Sequence, residues 1–297
     1  IKPGEKTIKV TLEDDCGMTY TGTTTVKVVE REKAANTATK LGDFDWDEAN
    51  IYFTVTDRFF DGNSNNNEGV DKEGTLSYHG GDFAGLQKKL SYLKDLGVNT
   101  IWITPIVSNS DTTTEKEDEE IESTGYHGYW ADDFTKLNPH LGTEKEFSSL
   151  IKAVHKNGMK LMVDVVLNHA GYETSDYFNT LLKDDDGNYI PMIRDDSNTI
   201  TGDDVYSSLS GLPDFVTENE AVRDQLIDWQ TNWVEKYGID YFRIDTVKHV
   251  DKTTWSALKN ELTAIDPQFR MIGEYAGAGY ANNAEMLGTG RMDSLLD

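Results

Sequence analysis

Two kinds of hydrophobic spacing divide the chain. Over residues 6–12 (KTIKVTL) and 23–30 (TTTVKVVE), polar and β-branched residues alternate, the period of a strand with one buried face. Asp14, Asp15 and Gly17 supply a turn between them. Two strands make no core alone, so residues 1–31 are expected to be the last hairpin of an upstream β-sandwich, or appended strands. The polar stretch 32–49 predicts a linker.

From Asn50 the pattern changes. Apolar runs at 51–55, 100–105, 160–169, 239–245 and 269–275 alternate with helical spacing over 83–96, 143–158, 218–238 and 252–266, and 291–297 begins one more run. Thr143 and Glu146 stand as a capping box, with Gly158 as the stop. This alternation predicts a parallel sheet covered by helices, with strands buried on both faces. Polar chemistry gathers at the strand ends: Asp57 and Arg58, Asn168 and His169, Arg243 and Asp245, and Glu274. That is the active face of a TIM (β/α)8 barrel. A doubly wound sheet would also place its ligand there, but NIYFTVTDRF carries no glycine-rich phosphate loop.

Six strands can be counted over residues 50–297, so the barrel is expected to be incomplete. Residues 170–217 carry little helical periodicity and are long for a loop; they predict a small domain inserted after the third strand. The acidic run 114–122 predicts a solvated loop.

Lys and Arg total 28 against 53 Asp and Glu, a net charge of −25. Such a charge repels nucleic acid and anionic lipid and suits a neutral ligand or bound cations. The one cysteine, Cys16, allows no intrachain disulfide, and no apolar run is long enough to span a membrane. A start at Ile1 without a signal peptide suits a processed protein or a piece of a longer one.

The carboxylates carry the candidate chemistry. Arg243 and Asp245 share one strand face, and an arginine beside a carboxylate is expected to keep it ionised and oriented, a candidate nucleophile or a structural ion pair. Glu274 ends the next strand, where burial and a like charge would favour a proton donor, or it is a buried glutamate satisfied by tyrosine or backbone. Paired carboxylates of this kind perform retaining glycoside hydrolysis. Tyr126, His127, Tyr129 and Trp130 crowd a glycine-punctuated loop, suited to sugar rings or to pinning the loop. Residues 61–69 (DGNSNNNEG) with Gly80 and Asp82 offer oxygens for a hard cation, or an ion-free turn.

Taken together, DVVLNH (164–169), GIDYFRIDTVKH (238–249), GEY (273–275) and GLPDF (211–215) resemble the conserved regions of glycoside hydrolase family 13, the α-amylase family. TDRFFDGNSNNN, SYHGGDFAGL and GYHGYWADDFTKLNPHLGT are similar to bacterial α-amylases and cyclodextrin glycosyltransferases. The resemblance covers roughly residues 45–297. It implies Asp245 as nucleophile, Glu274 as general acid/base and Arg243 as the residue holding Asp245, with Asp164 supporting the arginine. It implies His169, Tyr129 and His127 around the distorted sugar with Trp130 nearby, and Lys248 and His249 on the leaving-group side. It further implies a Ca2+ ion on Asn168, Asp214 and the His249 carbonyl, and a second on Asp61, Asn63, Asn66, Asn67, Gly80 and Asp82.

The family's fourth region, with its third carboxylate, is not found. An open six-stranded barrel would expose apolar edges, so the chain is expected to be a segment of a longer polypeptide, or to need a complementary fragment, and to be inactive alone. The expected activity of the whole is endo-hydrolysis of α-1,4-glucans such as starch and maltooligosaccharides. Open alternatives are a cyclodextrin glycosyltransferase or other transferase, a cyclomaltodextrinase- or pullulanase-type hydrolase, and a non-catalytic glucan-binding protein. An extracellular or cell-surface location is expected from the family and the implied calcium.

Overall fold

A computed structural model describes residues 4–28, 46–116, 119–277 and 284–296. The chain divides into two compact units, Ile1–Asn36 and Thr37–Asp297. In the first, β1 (Gly4–Glu13) and β2 (Thr19–Val28) pair antiparallel from Gly4↔Val28 to Glu13↔Thr19. Asp14 builds the turn: its Oδ1 accepts from the N–H groups of Cys16 and Met18, and Gly17 takes φ +78°, a conformation glycine adopts without steric cost. Ile8, Val10 and Leu12 alternate on one face and are all exposed, so the hairpin has no core of its own.

The second unit runs β3 (Ile51–Thr54), α1 (Thr56–Phe59), α2 (Phe83–Lys88), α3 (Leu90–Asp95), β4 (Thr100–Ile103), β5 (Val107–Asn109), β6 (Thr112–Lys116), β7 (Glu119–Ser123), β8 (Ala131–Leu137), α4 (Glu144–Lys156), β9 (Lys160–Val165), α5 (Ser175–Phe178), α6 (Glu220–Tyr237), β10 (Tyr241–Ile244), α7 (Lys252–Ile265), β11 (Arg270–Glu274), α8 (Ala284–Leu287) and β12 (Ser294–Leu296). Among these, β3, β4, β9, β10, β11 and β12 lie side by side in sequence order, all parallel. Each connection between them carries a helix. This is the expected incomplete (β/α)8 barrel.

Most of the expected 32–49 linker lies outside the described residues; within it, Trp46–Glu48 form a 3₁₀ turn, with Trp46 edge-on to Tyr241 and its Nε1 donating to Ser294 Oγ at 3.0 Å. Two expectations are corrected. The acidic run at 114–122 is no plain loop. It belongs to the hairpin of β6 and β7, which pair from Thr112↔Ser123 to Lys116↔Glu119, residues 117 and 118 lying outside the described set. The threonines and Ile121 favour strand enough to offset the acidic side chains. The helix expected over 83–96 breaks into α2 and α3 at Lys89, which leaves helical angles at φ −100°, ψ 5°.

The capping box at Thr143 and Glu146 is present, and α6 ends at left-handed Gly238. The core lies between sheet and helices: Leu161, Val163, Phe242, Ile244 and Met271 from the strands meet Phe147, Leu150, Val154, Trp255 and Leu258. The alternate residues Met162, Tyr241 and Ile272 form a separate cluster on the opposite face with Trp46, Ile51 and Trp102. Two residues further along each strand, on that same face, stand Asp164, Arg243 and Glu274. The strand period thus carries the apolar floor and the charged layer above it.

Candidate active site

The parallel register sets Arg243 opposite Asp164 on β9 and Ile272 on β11. From there one guanidinium meets three carboxylates. Nη1 donates to Asp164 at 2.9 and 3.0 Å and to Asp245 Oδ1 at 2.8 Å, and Nη2 lies 3.0 Å from Glu274 Oε1. Asp164 is fully buried and also accepts from Trp102 Nε1 at 3.1 Å and the Tyr129 hydroxyl at 2.7 Å. Its bonds are spent on holding the arginine and the aromatic loop. Asp245 is buried as well, whereas the Glu274 side chain is about a third exposed. Asp245 is thereby enclosed and Glu274 faces the opening.

Burial pushes the Asp164 carboxyl up to about 6, against the pull of Arg243, Tyr129 and Trp102. Burial also raises Asp245, to about 7; Asp164 and Glu274 add to the rise and Arg243 opposes it. Arg243 thus favours the ionised, oriented Asp245, and burial works against it. The two buried carboxylates, Asp164 and Asp245, share one guanidinium away from water, and that burial raises both. A reaction needing one ionised and one protonated carboxyl can draw on such a cluster.

The loop aromatics form the wall. His127 stacks on Tyr129 with centroids 5.6 Å apart and meets Trp130 edge-on at 4.4 Å; its Nδ1 accepts from the Tyr129 N–H. Burial, then Arg58, lowers His127 to about 4, and burial lowers His169 to about 4, so both rings are neutral at pH 7. Lys248 and His249 reach the inserted segment: Lys248 Nζ lies 3.4 Å from Asp204 Oδ1, and His249 Nδ1 lies 2.8 Å from the Asp204 carbonyl.

Whether the first candidate cation site fits can be tested from the hydrogen bonds. His169 Nε2 lies 3.1 Å from the Tyr129 carbonyl, so it carries the proton, and a neutral ring leaves Nδ1 as an acceptor. The Asn168 amide nitrogen must then face Nδ1, at 3.2 Å. This turns Asn168 Oδ1 toward the His249 carbonyl oxygen at 2.8 Å and Asp214 Oδ1 at 3.3 Å. The opposite amide orientation would bond both oxygens but would force a second proton onto His169. Three converging oxygens suit a hard cation.

At the second site Asn66 Oδ1 and Asn67 Oδ1 are buried without partners, and a Cβ on Gly80 would fall 2.8 Å from Asn67 Oδ1 and 3.3 Å from Asp61 Oδ2. The two unpartnered amide oxygens and the open side of Gly80 leave room for a cation, while Asp61 Oδ2 accepts from Asn67 Nδ2 at 2.8 Å and lies 3.5 Å from Lys72 Nζ. Asp82 and Asn63 are engaged elsewhere. Asp82 accepts from Gly62, Asn63 and Gly85 N–H and caps α2, while Asn63 Oδ1 accepts from Asn65. Among the described residues no three His, Cys, Asp or Glu side chains converge as a metal group, so both sites rest on amide, carbonyl and single carboxylate oxygens.

Three contributors escaped the sequence reading. Trp102 sits on the inner face of β4, a parity legible in TIWI. Arg194 is an isolated arginine in an aperiodic stretch, yet its side chain is 2% exposed. It donates to Asp214 Oδ2 at 2.6 Å and to both Glu218 oxygens at 2.7 and 2.8 Å. Thr246 takes φ +49°, ψ 44°, and its N–H donates to Glu274 Oε2 at 3.1 Å. A β-branched residue there costs on the order of 1–3 kcal/mol, and no sequence pattern announces it.

Comparison with known proteins follows the same lines. The family model "Alpha amylase, catalytic domain" matches residues 53–199 and 201–273. The periplasmic α-amylase of Escherichia coli is 30% identical over 80% of this chain and 48% of its own length. A cyclomaltodextrin glucanotransferase of Bacillus licheniformis is 34% identical, over 83% and 37%. The crystal structure of an Anoxybacillus α-amylase superposes with a TM-score of 0.71 at 35% identity, covering 86% of this chain and 53% of that one. The chain therefore spans about half or less of the length of these relatives.

Proposed function

From the premise that the chain belongs to the α-amylase catalytic-domain family, we propose that the full-length protein hydrolyses α-1,4-glucosidic bonds of starch and maltooligosaccharides internally, with retention. The observation that carries this reading is the single guanidinium of Arg243 shared by Asp245 and Glu274 on adjacent strand ends. Asp245 attacks the anomeric carbon as the glycosidic C–O bond breaks, and Glu274 gives its proton to the leaving oxygen. Water then attacks the glycosyl ester, Glu274 takes a proton from it, and Asp245 leaves as carboxylate. Tyr129 and His127 wall the sugar being cleaved, His169 supports Tyr129 through its carbonyl, and Trp130 backs His127. Lys248 and His249, held against Asp204, face the departing chain.

Calcium forms part of the proposal. Asn168, Asp214 and the His249 carbonyl would hold one ion, and Asp61, Asn66, Asn67 and the backbone at Gly80 another. Bound there, the ion supplies cross-linking of the inserted segment to the strand ends. The periplasmic location of one relative supports an extracellular or cell-surface location.

The test is product chromatography of maltooligosaccharides treated with the full-length protein, with Asp245→Asn as control. Shorter linear products that vanish in the variant are expected. The match to glucanotransferases at similar identity favours transfer as the second reading, and cyclic or lengthened products would establish it. Starch binding without turnover would overturn both.

A further inference from the structure

The turn after β10 is held by two contacts to β11 and one to α7. Thr246, in its left-handed conformation, aims its N–H at Glu274 Oε2 at 3.1 Å, while its hydroxyl is buried without a partner. The next residue, Val247, is fully buried, and its carbonyl accepts from the buried Trp255 Nε1 at 3.0 Å. Val247 also fills the space beside Gly273, where a Cβ would fall 2.8 Å from its Cγ1 and 3.3 Å from its Cγ2, with Leu295 Cδ2 at 3.1 Å. Gly273 directly precedes Glu274. The turn therefore reaches its depth only because β11 has no side chain at that point.

We propose that Thr246 is a positioning residue for Glu274, and that the Val247–Gly273 notch sets its reach. The proposal rests on Glu274 being the proton donor. Arg243 holds Oε1 and the Thr246 N–H holds Oε2, so both oxygens and the plane of the carboxyl are fixed. Without the turn, Glu274 keeps one contact and can rotate about it. General acid catalysis depends on that aim. A glycine or asparagine would reach the left-handed conformation without strain; the strain carried by threonine marks the placement as enforced by the surrounding packing.

The test separates proton donation from all else. A maltooligosaccharide needs a proton on its leaving oxygen. In α-maltosyl fluoride the C–F bond breaks as Asp245 attacks, and fluoride departs as an anion without a proton. Azide then attacks the glycosyl ester without a general base, giving the glycosyl azide and free Asp245 carboxylate. Gly273→Ala in the full-length protein should displace Val247 and lower kcat on maltooligosaccharide at least about tenfold more than on the fluoride with azide. Adding Val247→Ala, which removes both valine methyl groups facing the notch and leaves Leu295 Cδ2 beside it, should restore part of the glucan rate. Thr246→Pro, which lacks the N–H and cannot take positive φ, should show the same split, with near-ultraviolet circular dichroism checking its fold. Equal losses on both substrates, or no loss with Gly273→Ala, would overturn the proposal. A wild type that turns over neither substrate would instead overturn the assignment of Asp245 and Glu274.

Discussion

Replacing Asp245 with asparagine should stabilise the fold, and the gain should grow with pH. The carboxyl rises from the usual 3.8 to about 7, chiefly through burial, with Asp164 and Glu274 adding to it. Between these two values the folded state binds a proton that the unfolded state has released, so wild-type stability falls as pH rises. At about 1.4 kcal/mol per pH unit, the loss accumulates to about 4 kcal/mol by pH 7. Asparagine mimics the neutral carboxyl and does not titrate. The gain of Asp245→Asn should thus be near its minimum at pH 4, climb through pH 4–7, and level off above. Urea denaturation of both proteins at several pH values measures it directly, because an unchanged m-value lets midpoints be compared. A gain independent of pH, or a variant less stable than wild type at pH 8, would refute the reasoning. The first result would mean that the ion pair with Arg243 balances desolvation, the second that it outweighs it.

Other outcomes follow from the same contacts. Arg194→Met leaves Asp214 and Glu218 without their cation and should cost about 3 kcal/mol, seen as a lowered unfolding midpoint and faster proteolysis within 170–217. Calcium at a hundred times its dissociation constant should stabilise the protein by about 2.7 kcal/mol, with part of that gain lost on Asn168→Ala; equal calcium responses would remove the first site. Thr143→Ala deletes the cap of α4 and should cost about 1 kcal/mol, read from the same denaturation curves.

The sequence showed its strands and long helices because parallel strands buried on both faces are uniformly apolar and stop where chemistry begins. The pairing of Arg243 with Asp245 was legible from a two-residue spacing, and the charged layer follows from strand parity. What escaped depends on contacts distant in sequence. Arg194 meets Asp214 across 20 residues of aperiodic chain. Thr246 finds Glu274 only because Gly273 admits Val247. The β6–β7 pairing was hidden by its acidic residues. The sign of the Asp245 shift was also out of reach, since it depends on how deeply the cluster is buried.

The most direct test of Asp245 as nucleophile is to trap the glycosyl-enzyme. A fluorinated glycosyl fluoride, whose electron-poor ring slows hydrolysis of the intermediate, is incubated with the full-length protein, and the peptides are mapped by mass spectrometry. A glycosyl adduct on Asp245, absent after Asp245→Asn, is the predicted result. An adduct on another carboxylate, or glucan cleavage that proceeds with inversion and without any adduct, would contradict it.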